Sequence, residues 1–95
     1  MTLSIITTTN ARRDIQQAID WENTRQNGLG ERFLGLLTSK LQTLAGTPFL
    51  GSVRYDNVRC TTTDVFQYLI HYVVDSDRSQ ITVLRVLHIR QKPLW

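Results

Sequence analysis

The sequence predicts an α+β fold: a strand, an antiparallel helical hairpin, then a three-stranded antiparallel meander. Three observations predict it. Apolar residues recur at helical spacing from Ala11 to Leu44, and after Gly51 the period switches to two. The joins carry turn residues, namely Asn27-Gly28, Gly46 with Pro48, and Asp75-Ser76-Asp77. A chain of 95 residues fits a single domain, 1–95. Its core is small but sufficient, since chains of this size bury roughly 60 to 70% of the surface that unfolding exposes.

Leu3 to Thr8 is rich in β-branched residues and alternates weakly, as a short first strand does. Asn10 is suited to cap the following helix, with Asp14 expected in its first turn. Ala11, Ile15, Ala18 and Ile19 make its buried stripe, and Trp21 lies at the stripe's edge. Asn27-Gly28 tolerates the positive φ of a helix end. A second helix runs from about Leu29 to Ala45, with Phe33, Leu36, Leu37, Leu41 and Leu44 on one face. So short a connection makes the two helices antiparallel neighbours.

In the meander, Val53 to Cys60 alternates as one strand and Thr61 to Asp64 forms the turn. Phe66 to Val74 is apolar on both faces, which predicts a central strand. The turn Asp75–Gln80 leads into Ile81 to His88, antiparallel to it. Ile15, Ile19, Phe33, Leu37, Leu44, Ile70 and Val83 are expected in one core between hairpin and sheet.

Composition narrows the function classes. At 41% hydrophobic and 20% charged residues the chain is globular, not disordered. Cys60 is the lone cysteine and excludes an internal disulfide, so a cytoplasmic location is expected. No basic residue precedes the short apolar start, and no apolar run approaches the ~20 residues that span a bilayer, so neither export nor membrane insertion is expected. From Arg85 onward there are Arg85, Arg90 and Lys92 and no acid. This stretch therefore carries +3, equal to the formal net charge of the whole chain. Such a tail suits an anion or an acidic partner.

A glycine-rich phosphate loop, Cys-x-x-Cys and His-Glu-x-x-His are all lacking, and neither a metal nor another cofactor is expected. A hairpin symmetric about residues 77 and 78 sets His88 opposite Gln67, four residues from His71 on the same face. The rings then start ~13 Å apart, too far for one metal ion. His71 reads as a hydrogen-bonded sheet histidine. His88 ends a strand at the basic tail, where an imidazole can serve as general acid or base. In the same register Arg85 faces Ile70, diagonal to Tyr68 and Tyr72, which leaves aromatic stacking and ligand binding both open. Arg59 and Arg90 are expected to reach solvent and grip carboxylate or phosphate. Trp95 is either a plug over the sheet or a stacking platform for a base. Any uncovered part of the Leu36, Leu37, Leu41 and Leu44 face would make a groove for a partner's helix.

Several short patterns in order complete the reading. They are Asp14-Ile15-x-x-Ala18-x-x-Trp21, Gly30-x-x-Phe33-x-x-x-Leu37, Pro48-x-x-Gly51, Val58-Arg59, Tyr68-Leu69-Ile70-x-Tyr72 and Val83-Leu84-Arg85-Val86-Leu87-His88-x-Arg90. Together they resemble the RelE/ParE superfamily of type II toxins, over about Ala11 to Trp95. The resemblance implies a helical hairpin on an antiparallel sheet and a bacterial growth inhibitor neutralised by a cognate antitoxin. It also implies contact with operator DNA only through that antitoxin, and a role in plasmid stabilisation.

RelE-like members cut mRNA in the ribosome with lysines, arginines and a tail tyrosine. Laid on that pattern, the lysine positions fall near Tyr55 and Asn57, the central arginine on Leu69, the last-strand arginine on Ile89 beside Arg90, and the tyrosine on Trp95. Leu69 cannot stabilise charge, and indole is no useful proton donor. An RNase would have to use His88, Arg90, Arg59 and Arg85, with Lys92 as a further cation. The ending Arg90-Gln91-Lys92-Pro93-Leu94-Trp95 instead resembles ParE-type tails. That implies a DNA gyrase poison without RNase activity of its own, with Arg59, Arg90, Lys92 and Trp95 as candidates for binding target or antitoxin. A non-toxic binding module with the same fold is a further alternative.

Overall fold

The computed structural model describes residues 2–90. Its elements are β1 (Ser4–Thr7), α1 (Thr9–Arg25), α2 (Leu29–Gly46), β2 (Ser52–Tyr55), β3 (Val58–Thr62), β4 (Tyr68–Asp75) and β5 (Gln80–His88). The helical hairpin packs on one face of a five-stranded sheet of order β1-β5-β4-β3-β2. All neighbours are antiparallel except β1, which runs parallel to β5. The α+β expectation is met, with β4 the central strand.

The core forms where both helices meet the sheet. Phe33, Leu37 and Leu44 of α2 lie against Ile70, Tyr72, Ile81 and Val83, all at 1% exposure or less. Ile15 and Ile19 pack against this cluster from α1 while half-buried. Gly28 adopts φ 95°, as the helix break requires of it. Gly30 lets α2 begin close to α1, since a methyl group there would collide with the Ile19 carbonyl and the Asn23 side chain. No helix among the described residues is long and apolar enough to cross a membrane.

Four local expectations are corrected. Thr8, not Asn10, caps α1: its hydroxyl accepts the Ala11 amide at 3.0 Å and donates to the Leu84 carbonyl at 2.9 Å. A residue that bonds helix and sheet at once outcompetes one that could only cap. Asp14 therefore lies beyond the first turn. The expected strand over residues 53–60 is a hairpin, β2 and β3, turned at Asp56 (φ 43°) and Asn57 (φ 66°). Asp and Asn tolerate that left-handed pair of residues, the signature of a tight two-residue turn. The next turn comes later than Thr61–Asp64 and includes Phe66, which is buried as a loop residue, not a strand residue.

The fourth correction concerns β4 and β5. From Asp75↔Gln80 to Tyr72↔Val83 the expected register holds, and then it shifts by one. Beyond the shift His71 faces Arg85, Ile70 faces Val86 and Tyr68 faces His88. Leu84 is the extra residue of a β-bulge. Its effect is decisive for the core. The alternation that buries Ile81 and Val83 would otherwise carry Arg85 inward; with the bulge, Val86 takes the inner place at 2% exposure.

Val65 is held at φ 71° and 69% exposure in the β3–β4 turn, an unfavourable backbone for a β-branched side chain. Replacing Val65 with Asn should raise stability by about 1 kcal/mol by easing that strain. Thermal melts of the two proteins measure it.

Candidate functional site

β1 covers β5 only from Gln80 to Val83, so the rest of that edge needs other partners. The chain meets the need with α1. The Thr8 amide donates to the Val83 carbonyl and the Thr8 hydroxyl to the Leu84 carbonyl. Asp14 Oδ2 accepts the Val86 amide at 3.0 Å, standing in for the missing strand. The same carboxylate takes Arg85 in a fork, Nε to Oδ2 at 2.6 Å and Nη2 to Oδ1 at 3.0 Å. These hydrogen bonds raise the Arg85 pKa, against a smaller opposing effect of burial. Arg85 is thus committed to Asp14 and does not stack on Tyr68 or Tyr72; the bulge has moved it to face His71.

A second buried carboxylate lies two turns further along α1. Glu22 is 1% exposed, accepts Arg25 Nη1 at 2.7 Å and accepts the Tyr68 hydroxyl at 3.1 Å. Burial, followed by that hydrogen bond, pushes the Tyr68 pKa up to about 12. The buried set Ala11, Asp14, Ala18 and Glu22 is spaced i, i+3, i+7, i+11. That spacing was visible in the sequence, but apolar periodicity alone passes over charged members of a buried stripe.

Between α1, the start of α2, the β3–β4 turn and the end of β5 opens a cleft of about 860 Å³. Asp14 and Tyr68 form part of its wall, Arg25, Arg32 and Arg90 supply cations, and Trp21 and Val65 lie on it at 59% and 69% exposure. His88 also lines it. Its ring sits edge-on to Tyr68 with centroids 5.1 Å apart, and its Nδ1 accepts the Arg90 amide at 3.1 Å.

The structure brings His88 and Arg90 together here and places Arg59 elsewhere. Arg59 Nη1 donates to the Gly51 carbonyl at 2.7 Å, and its guanidinium lies 4.8 Å from the centre of the Phe49 ring. Lys92 and Trp95 lie outside the described residues. Leu69 stands half-buried on β4, Tyr55 half-buried on β2, and Asn57 exposed in the β2–β3 turn. Ile89 is 48% exposed.

His71, on the sheet face away from the helices, is 1% exposed. Its Nδ1 is 3.0 Å from the Tyr55 hydroxyl and 3.6 Å from Cys60 Sγ. Burial, then the Arg85 charge, lower its pKa, while Asp14 opposes them. Burial likewise raises the Cys60 thiol. Among the described residues no group of three histidine, cysteine or acidic side chains could hold a metal ion.

A helical hairpin on a five-stranded mixed sheet is the architecture of the RelE/ParE toxin class. Solved structures share it. The chain is similar to the chromosomal ParDE toxin–antitoxin system of P. aeruginosa, with TM-score 0.78 and 16% identity over 94% of this chain and 98% of that one. It is also similar to the RelBE2 toxin–antitoxin complex of Mycobacterium tuberculosis, with TM-score 0.69 and 22% identity over 93% and 99%. The intact E. coli RelBE complex gives TM-score 0.68 and 13% identity over 94% and 99%. A comparison with curated proteins finds no match. The family model for the ParE toxin of type II toxin–antitoxin systems matches residues 5–93, and the chain belongs to that family.

Two outcomes follow from this geometry. Asp14→Ala removes one partner from a largely buried pair and frees the Val86 amide, so it should cost about 3 kcal/mol in urea denaturation. For His71 the folded pKa lies below its ordinary value of 6.5. The unfolded chain therefore binds the proton more readily, and stability falls as pH drops below 6.5. Comparing denaturation at about pH 7.5 and about pH 5.5, His71→Asn should lose less than the parent protein.

Proposed function

We propose that this toxin inhibits growth by binding and poisoning DNA gyrase, as a ParE-type toxin, and that a cognate antitoxin neutralises it. The observation that carries this reading is the commitment of Arg85 to Asp14; the resemblance adds an aliphatic Leu69 where it sets the RNase's central arginine. Metal-free cleavage of RNA needs a base for the 2′-hydroxyl, an acid for the leaving oxygen and cations around the phosphorane. His71 is buried with its protonation opposed, and Arg59 is engaged at Gly51. A toxin that works by binding needs none of these groups free. The family match and the similarity to toxin–antitoxin complexes support a toxin held by a cognate antitoxin.

One observation favours an RNase as the second reading: His88 and Arg90 share the cleft wall. They would be its acid–base group and its cation. The antitoxin in either case would lie along the helical hairpin, where Leu34 is 41% exposed, or add a strand at β1 or β2, the two edges of the sheet.

Expression of the chain alone separates the readings. A gyrase-directed toxin should cause DNA damage and block supercoiling without ribosome-dependent mRNA cuts. His88→Gln should leave growth inhibition largely intact, and Arg90→Ala should weaken it by removing charge-assisted contacts. Loss of toxicity in a folded His88→Gln protein, with mRNA cleavage by the parent, would establish the RNase, because general acid–base catalysis contributes about a hundredfold or more.

A further inference from the structure

The two edges of the sheet are guarded differently. β2 carries the exposed Arg54 and breaks its register with β3 between Val53 and Tyr55, and a charge and a bulge are common protections of an edge strand. β1 has neither. Its register with β5 runs unbroken from Ser4 to Thr7, and no charged side chain occurs from Thr2 to Ala11. Both strands are four residues long, so length does not separate them. Ile5 packs against the core, while Ser4 and Ile6 lie on the opposite face, Ile6 at 41% exposure.

The backbone of β1 is more selective than its side chains. The Ser4 amide donates to the Ser79 carbonyl and the Thr8 amide to the Val83 carbonyl, so Ser4, Ile6 and Thr8 turn their peptide groups toward β5. Peptide groups alternate in direction along a strand, and those of Leu3, Ile5 and Thr7 therefore point out of the sheet edge. Two of these groups are engaged within the chain: the Leu3 amide donates to the Ala45 carbonyl at 2.9 Å, and the Thr7 carbonyl accepts Arg12 Nη1 at 2.6 Å. The Leu3 carbonyl, both groups of Ile5 and the Thr7 amide face the open edge.

That pattern is complementary to itself. In an antiparallel pair centred on Ile5, the Leu3 amide of one strand meets the Thr7 carbonyl of the other, and these are the two groups already satisfied. The remaining groups match: Ile5 exchanges both bonds with Ile5, and each Thr7 amide meets the opposite Leu3 carbonyl. A foreign strand would bring its own amide and carbonyl to the engaged positions and leave them without partners. A second copy brings none. The same register sets each Ile6 opposite the other copy's Ser4 and diagonal to its Ile6, which covers the exposed side chain. We infer that the free chain associates with a second copy through β1, its five-stranded sheet continuing into the other's about a two-fold axis at Ile5. The contact is small, below about 1,200 Å² in total, so the dimer is of the weak and transient class. β2 stays open in it, and an antitoxin that added a strand at β1 would have to displace the copy. Neither the gyrase nor the ribosome reading is needed for this association.

Sedimentation of the full chain without antitoxin, from about 1 μM to about 1 mM, spans the affinities open to such a contact. The mass should rise from the 11.0 kDa of one chain toward twice that value. Hydrogen exchange locates the contact. The Ile5 amide should exchange several-fold more slowly at the upper concentration, while the Ser4 amide, already bonded to Ser79, should not change. Ile6→Lys puts a charge on the exposed edge and should abolish both effects. Thr7→Pro removes an outward amide without touching the ladder to β5, and should do the same. Val53→Lys, at the exposed position on β2, is the control and should associate as the parent does. Circular dichroism checks that each variant folds. A mass that stays at one chain up to about 1 mM would overturn the inference. So would association lost in Val53→Lys but kept in Ile6→Lys. An Ile5 amide protected at every dilution would overturn it by showing that another segment of the chain covers the edge, and one protected only on co-expression with the antitoxin would give β1 to that partner instead.

Discussion

The Asp14 carboxylate is the constraint on which this fold turns. A strand that runs past its neighbour leaves backbone groups that must find partners or be solvated. β1 stops beside Val83, and β5 continues to His88. Asp14 closes the gap by accepting the Val86 amide and holding Arg85, so α1 acts as the continuation of the sheet edge. The arrangement requires Val86 to face inward and Arg85 to reach α1, and the bulge at Leu84 supplies both. Helix, bulge and ion pair therefore form one interdependent unit. A charge buried without Arg85 would be costly, and Arg85 without Asp14 would be a cation beside a buried histidine.

The second carboxylate of α1 does for the cleft what the first does for the sheet. Glu22 ties Tyr68 on β4 to Arg25 at the helix end. Because Tyr68 also meets Phe33 and His88 through its ring, one phenol links α1, α2 and the end of β5. The walls of the cleft are thus braced by buried contacts while its rim is left exposed. Rigid support beneath the walls lowers the ordering cost that any ligand of the cleft would impose, while the exposed side chains of the rim would still have to be ordered.

The same packing explains why the cations of this chain are not equivalent. Arg85 completes the sheet edge and Arg59 bridges Gly51 and Phe49 at the other side of the molecule. Arg32 and Arg90 lie exposed on the cleft, and Arg25 is shared between Glu22 and solvent. Counting basic residues near the end of the chain captures the sign of the potential. It does not tell which guanidinium has been spent on structure.

Much of the architecture was legible in the residues, because hydrophobic period and turn chemistry are local properties. The hairpin of Thr9–Arg25 and Leu29–Gly46, the break at Gly28 and the central place of β4 all follow from spacing that any reader of the sequence can measure. The Asp56-Asn57 turn is equally local, but the alternation of residues on either side of it hides it. The candidate site was legible in part. His88 and Arg90 stood out as neighbours at the end of the last strand, but their joining with Trp21, Arg25 and Arg32 needs residues far apart in the chain to meet. What tertiary structure alone decided is of that kind. Thr8 took the cap from Asn10 because β5 offered it a second bond, and Asp14 and Glu22 became interior residues because Arg85 and Tyr68 arrived to satisfy them. The extra residue at Leu84 set the face of everything after it. Sequence period determines which residues share a face while the period holds. Where a bulge interrupts it, or a buried charge finds its partner, the outcome depends on groups elsewhere in the chain that no local pattern contains.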